Sequence, residues 1–173
     1  MKKSILITGI AGSGKSSVSK ALNALGYQSY DIEDIDGLFK MIYKDTGRVA
    51  TDFNNDNLEK VKRGDWICDK ENLKEIIRKE NADIAFYCGT ASNVDDLISL
   101  FDKVIVLKTS PDVIKQRLST RKPKDFGNTK EVQDWVLGWK DWWEDHIQSE
   151  GAVVIDANGS PEEISKKIIE ITT

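Results

Sequence analysis

Gly9-Ile10-Ala11-Gly12-Ser13-Gly14-Lys15-Ser16 follows the spacing G-x-x-x-x-G-K-[ST] without a mismatch, directly after the apolar run Ile5-Leu6-Ile7. Glycines at these places let successive backbone N–H groups turn toward a phosphate chain, and a helix beginning there aims its positive dipole end at the same anion. Gly9, Ala11, Gly12, Ser13 and Gly14 supply the amides of such a cradle, which continues through Lys15, Ser16 and Ser17. Lys15 can reach the outer phosphates, and Ser16 offers a hydroxyl to Mg²⁺. The chemistry expected is the binding of ATP with Mg²⁺.

A second cluster holds acid. Asp31, Glu33, Asp34 and Asp36 crowd into six positions, where like charges repel unless a cation compensates. Asp31 lies nearest the end of its strand and is the expected metal partner or proton acceptor; the plainer alternative is an acidic first turn of a helix. Arg117 and Arg121, four apart, share one helix face and can stabilise a transferring phosphoryl group or stack on an adenine ring. After Lys122-Pro123, the stretch Lys124-Asp125-Phe126-Gly127-Asn128 has turn chemistry and reads as a flap that excludes water. Trp135, Trp139, Trp142 and Trp143, with Val132, Val136 and Ile147, repeat at helical spacing, so most of this stripe is expected in the core, with one of the adjacent Trp142 and Trp143 at a cleft or an oligomer contact. His146 shows no partner and reads as structural.

Short β-branched runs at Ser4–Thr8, Gln28–Ile32, Asp83–Cys88, Lys103–Leu107 and Ala152–Ile155 alternate with helical patterns, which predicts an α/β fold. Helix starts are marked by Ser110-Pro111-Asp112 and Ser160-Pro161-Glu162-Glu163, with further starts at Asp69 and Asn93 and a helix after Thr129. Asp45–Asn57 reads as a polar surface segment. In a parallel sheet, the loops leaving the carboxyl ends of the strands build the site. The 173 residues suit one domain, and 25 Lys and Arg against 29 Asp and Glu give a net charge of −4, the wrong sign for a dedicated nucleic-acid binder. Cys68 and Cys88 form no CxxC pattern and read as packed thiols. Neither a signal-peptide core nor a membrane-spanning run is visible, so a cytoplasmic protein without a membrane partner is expected.

The phosphate loop, the acidic strand end, the paired arginines and the Lys124-Asp125-Phe126-Gly127 flap together resemble the small P-loop kinases of the nucleotide-kinase and shikimate-kinase type. The likeness is nearest to nucleoside-kinase-like P-loop ATPases, through Tyr30-Asp31-Ile32-Glu33-Asp34 and Cys88-Gly89-Thr90-Ala91-Ser92-Asn93. It implies a three-layer fold with a five-stranded parallel sheet of order 2-3-1-4-5, a LID near 121–130 and an acceptor-binding segment near 34–68. It also implies that Arg117 and Ala157–Pro161, with Asn158 and Pro161, hold the adenine. Arg121 would enter as a LID arginine, and Asp31 would serve magnesium or acceptor.

Asp31, Glu33, Asp34, Arg48, Gly89 and Thr90 are the expected acceptor contacts. Cys88-Gly89-Thr90 replaces the glycine triplet of shikimate kinases, and Asp34–Leu38 lacks the arginine with which adenylate-type kinases grip a phosphate. The expected reaction is therefore transfer of the γ-phosphoryl group to the hydroxyl of a nucleoside or similar metabolite. A monophosphate acceptor stays open through Arg48, Lys60, Lys62 and Arg63. The alternative is a regulatory nucleotide-binding module or plain ATPase acting on a protein partner, and the protein would be a monomer or homodimer.

Overall fold

Leu6, with Ile5 and Ile7 on either side of it, explains the centre of the molecule. Strand β1 (Lys3–Thr8) is buried on both faces over its last four residues, as expected of a strand flanked by partners and covered by helices. In the computed structural model, which describes residues 2–173, β1 pairs in parallel with β5 (Ile84–Cys88) on one side and β6 (Lys103–Lys108) on the other. Strand β2 (Gln28–Asp31) adds beside β5, and β7 (Val153–Asp156) beside β6. The order is β2-β5-β1-β6-β7. Counting only these parallel strands along the chain, it reads 2-3-1-4-5, as the resemblance implies.

Period-two alternation sends side chains to the two faces. Ile5, Ile7, Phe86, Cys88, Ile105 and Leu107 pack under α1 (Lys15–Ala24) and α7 (Pro161–Thr172), which contribute Val18, Leu22, Ile164 and Ile168. On the other face Leu6, Tyr87, Val104 and Val106 meet α3 (Lys70–Lys79), α4 (Val94–Leu97) and the far end of α6 (Lys130–Ser149) through Leu73, Leu97 and Ile147. A third cluster forms at the carboxyl edge of the sheet, where Ile10 meets Ile114 and Leu118 of α5 (Pro111–Ser119), Val132 and Val136 of α6, and Val61 of α2 (Leu58–Arg63).

Asp69 caps α3 by accepting from the Asn72 N–H, and Ser160 with Glu163 forms a complete capping box on α7. Asn93 precedes only one turn of helix and makes no side-chain cap. The chain after Asp31 makes a single 3₁₀ turn, Ile32–Asp34, instead of the acidic helix start considered above. Buried Ile32 pins it to the core, and Gly37 at φ +75° turns the chain outward.

The sequence reading missed an antiparallel hairpin between these landmarks. Strands β3 (Phe39–Tyr43) and β4 (Gly64–Cys68) pair with Met41 opposite Trp66. They are joined by the polar segment and α2, so the hairpin lacks the short turn that normally betrays one. Among the described residues, no helix is long and apolar enough to cross a membrane.

Ile105 is wholly buried, whereas Val153 on the edge strand is 39% exposed. Ile105→Ala is expected to lower unfolding free energy by about 2–5 kcal/mol and Val153→Ala by less than about 0.5 kcal/mol. Urea denaturation of the two variants measures the contrast.

Candidate active site

The loop between β1 and α1 takes its shape from two glycines in the left-handed region, Gly12 at φ +83° and Gly14 at φ +97°. Gly12 is also closely packed, since a Cβ there would lie 3.2 Å from Ile114 and from Leu118. Lys15 is half-buried, and its ammonium donates to the Gly9 carbonyl at 2.8 Å and the Ile10 carbonyl at 3.1 Å. Burial pushes its pKa down; Glu33 and Asp31 push back, and Arg121 adds to the depression. The Ser13 hydroxyl is buried without a partner among the described residues.

Ser16 Oγ donates to the Asp31 carboxylate, which brings together two hard oxygen ligands from the loop and the end of β2. Among the described residues no group of three His, Cys, Asp or Glu side chains can hold a metal. The pair instead suits Mg²⁺, which typically takes one or two protein oxygens and completes its shell from phosphates and water. The glycine-shaped loop and the Lys15 ammonium likewise fit a polyphosphate.

Arg117 ties this floor to the far loop. Its guanidinium donates to the carbonyls of Gly12 at 3.2 Å, Ala157 at 2.9 Å and Gly159 at 3.4 Å. The arginine expected over adenine or phosphate thus also staples the phosphate loop to the segment before α7. Pro161 lines the cleft there. Asn158 does not; its side chain accepts from the Ser110 N–H and donates to Asp156.

Glu33, half-buried on the 3₁₀ turn, is held on both oxygens. Trp66 Nε1 donates to Oε1 at 3.0 Å, and the Thr90 N–H donates to Oε2 at 3.2 Å. Gly89 does not line the cleft, but it permits this approach: a Cβ on it would stand 2.5 Å from Ile32 Cγ1 and 3.3 Å from Glu33 Cγ. Strand β4 is bound to the same loop by Trp66 N–H to Ser92 Oγ at 2.9 Å, Ser92 N–H to the Trp66 carbonyl at 2.7 Å and Cys68 N–H to Asn93 Oδ1 at 3.0 Å.

Loop and hairpin therefore bound one cleft of about 1060 Å³, lined by Ala11, Gly12, Gly14, Lys15, Ser16 and Ser17 at one end and by Met41, Phe53 and Trp66 at the other. Asp31, Glu33, Asp34 and Thr90 line the same cleft, with Arg117 and Arg121 also on its wall. The Arg121 guanidinium donates to the Phe126 carbonyl at 2.8 Å, and Asn128 donates back to the Arg121 carbonyl at 2.8 Å, which shapes the expected flap. Lys124 is in the left-handed region at φ +73°, and its carbonyl accepts from Asn55 Nδ2 at 3.0 Å.

Arg48 lies outside this lining, exposed near the tip of the hairpin. Lys44 does line the cleft and faces Asp65 at 3.7 Å, and three further cations of that segment are engaged. Lys60 binds Asp52 at 3.0 Å, Lys62 faces Glu59 at 3.7 Å, and Arg63 binds Asp45 at 2.9 Å while lying 4.3 Å over the Tyr43 ring.

Helix α6 packs largely as its spacing predicts: Val132, Val136 and Ile147 are in the core, and Trp135, Trp139 and Trp143 pack against it. Its fully buried face consists of Val132, Gln133, Val136, Lys140, Glu144 and Ile147, while Trp135, Trp139, Trp142 and Trp143 line the cleft. Trp142 is 69% exposed. Indoles are bulky and partly polar, so the face that a smaller residue fills to the core leaves them at the rim. The sequence reading overlooked the buried pair Lys140–Glu144, at 2.9 Å, although its i,i+4 spacing was the available signal. Burial pushes the Glu144 carboxyl up, against the pull of Lys140 and Lys108. His146 does have partners: its Nε2 is 2.9 Å from Asp95, and its ring stacks on Trp142.

A family model described as an AAA domain matches residues 5–136, and the chain belongs to that family. No match is found among curated proteins. Among solved structures, shikimate kinase from Acinetobacter baumannii in complex with shikimate is similar at 15% identity and TM-score 0.61, over 99% of this chain and 93% of that one. Deoxyadenosine kinase from M. mycoides with bound dATP follows at 17% and 0.56, over 97% and 98%. A gluconokinase from Sinorhizobium meliloti 1021 gives 19% and 0.54, over 97% and 90%. At these identities the likeness is one of fold, and the fold is that of the small P-loop kinases.

Burial pushes both thiols, Cys68 in the hairpin and Cys88 beneath the loop, up to about 12 from an ordinary 9.0. Roughly a thousandfold less thiolate follows at pH 8. A thiol-reactive dye at that pH should label neither cysteine in the native protein and both in urea.

Proposed function

We propose that the chain is an ATP- and Mg²⁺-dependent phosphotransferase that moves the γ-phosphoryl group to the hydroxyl of a small molecule. One observation carries the reading. The phosphate loop and an aromatic hairpin compartment share a single cleft, with a fixed carboxylate, Glu33, on its wall. A plain ATPase or regulatory switch needs the first compartment and has no use for the second. The reading treats residues 1–173 as one kinase domain, with 121–130 as LID and 34–68 as acceptor segment.

The loop amides and Lys15 bind the β- and γ-phosphates, and Lys15 exchanges its two carbonyl contacts for phosphate oxygens. Ser16 and Asp31 hold Mg²⁺, which when bound offsets the phosphate charge. The acidic cluster thereby divides: Asp31 is committed to Ser16, and Glu33 is the proton acceptor. As the bond between the γ-phosphorus and the bridging oxygen breaks, a new bond forms to the acceptor oxygen, and the acceptor's proton passes to Glu33. Arg121 stabilises the equatorial oxygens, and Arg117 holds the donor end rigid. An uncharged hydroxyl acceptor is favoured over a monophosphate because Lys60, Lys62 and Arg63 are paired with acid, Arg48 lies outside the cleft, and Lys44, which lines it, faces Asp65 at 3.7 Å.

ATP consumption measured with nucleosides, nucleotides, sugars and hydroxy acids tests the reading, with stimulation expected from a neutral hydroxyl compound. Hydrolysis indifferent to every acceptor would favour the plain ATPase. Lys15→Ala should lower turnover by at least about a thousandfold with the thermal midpoint kept within a few degrees. Asp31→Asn should raise the Mg²⁺ concentration giving half-maximal rate by about tenfold or more.

A further inference from the structure

We propose that Trp66 is a positioning residue for the transfer step: its indole N–H, delivered by the hairpin, aims the Glu33 carboxylate at the acceptor hydroxyl. The proposal rests on the reading of Glu33 as proton acceptor. A glutamate on a 3₁₀ turn has three rotatable side-chain bonds, and Glu33 acts electrostatically on the neighbouring Lys15 ammonium, which would draw a free carboxylate toward the phosphates. One N–H on one oxygen leaves the carboxylate free to pivot about that contact. Two donors on different oxygens fix its plane, and the structure supplies them from two elements: the Thr90 backbone on Oε2 and Trp66 Nε1 on Oε1.

The indole is itself immobilised. Its ring stacks on Phe39 with centroids 5.1 Å apart and planes 24° apart, and its backbone exchanges hydrogen bonds with Ser92. An indole N–H is purely a donor, so it orients the carboxylate without competing for the acceptor's proton; a carboxylate offers about four lone-pair sites, and two stay available to the hydroxyl. Because Trp66 also lines the compartment where the acceptor would lie, the element that binds the acceptor is the one that sets the base.

Trp66→Phe keeps an aromatic ring against Phe39 and removes only the N–H. Turnover of Mg·ATP is measured with water, adenosine, thymidine and D-gluconate as acceptors, for Trp66→Phe, Glu33→Gln and the double variant. For each acceptor used by the wild type, Trp66→Phe should lower kcat by about ten- to hundredfold, the value of a hydrogen bond to a charged group, and change the KM for Mg·ATP by less than about twofold. Glu33→Gln should lose at least as much, and the double variant should be no slower than Glu33→Gln alone.

Wild-type kcat in Trp66→Phe beside a crippled Glu33→Gln would overturn the positioning role and leave the base standing. Full activity in Glu33→Gln would overturn both. Additive losses would make Trp66 a packing residue and overturn the proposal. Should Trp66→Phe misfold, the ¹⁵N indole resonance of Trp66 decides: it should move upfield in Glu33→Gln, and an unmoved resonance overturns the proposal.

Discussion

Five strands running in one direction impose the constraint from which the site follows. Each parallel strand ends on the same edge of the sheet, and each connection must return over a face before the next begins. With β1 at the centre, buried against helices on both faces, its exit loop rises from the most confined place on that edge. The chain there must turn at once into α1, whose Val18 and Leu22 are committed to the core. The left-handed conformations of Gly12 and Gly14 reconcile those demands.

Charge is then distributed by which side chains the core claims. Ile32, 1% exposed, anchors the turn after β2, and the carboxylates on either side of it leave in different company. Asp31 meets the hydroxyl of Ser16, while Glu33 meets two N–H donors from the hairpin and from the end of β5. A dense run of acid thus becomes two separately engaged groups about one cleft. Arg117 complements this from the glycine loop, binding carbonyls of two loops that the sheet alone would leave unconnected.

The parallel sheet was legible because its strands are short apolar runs followed by capped helices, and the cradle was legible because its glycine spacing is dictated by backbone geometry. The hairpin was hidden for a physical reason. Phe39–Tyr43 and Gly64–Cys68 have strand composition, but 20 intervening residues and a short helix separate them, so nothing local announces the pairing. Glu33 could be read as a candidate from its place in the acidic run, yet its distinction from Asp31 depends on Trp66 and Thr90, which are remote in sequence. Trp135, Trp139 and Trp143 obey a helical period that fits either a core or a cleft wall, and in the fold they serve as both, packed against the buried cluster of Val132 and Val136 while lining the cleft.

Lys124 holds a backbone conformation uncommon for a residue with a side chain, and it offers its carbonyl to Asn55. Among the described residues this is the sole hydrogen bond between segment 121–130 and the stretch 34–68, reinforced by the apolar neighbourhood of Phe53 and Phe126. One such bond contributes about 0.5–1.5 kcal/mol, about one to two and a half times thermal energy. Polar attachment between these two stretches is therefore slight, and parting them would cost far less than disturbing the sheet beneath.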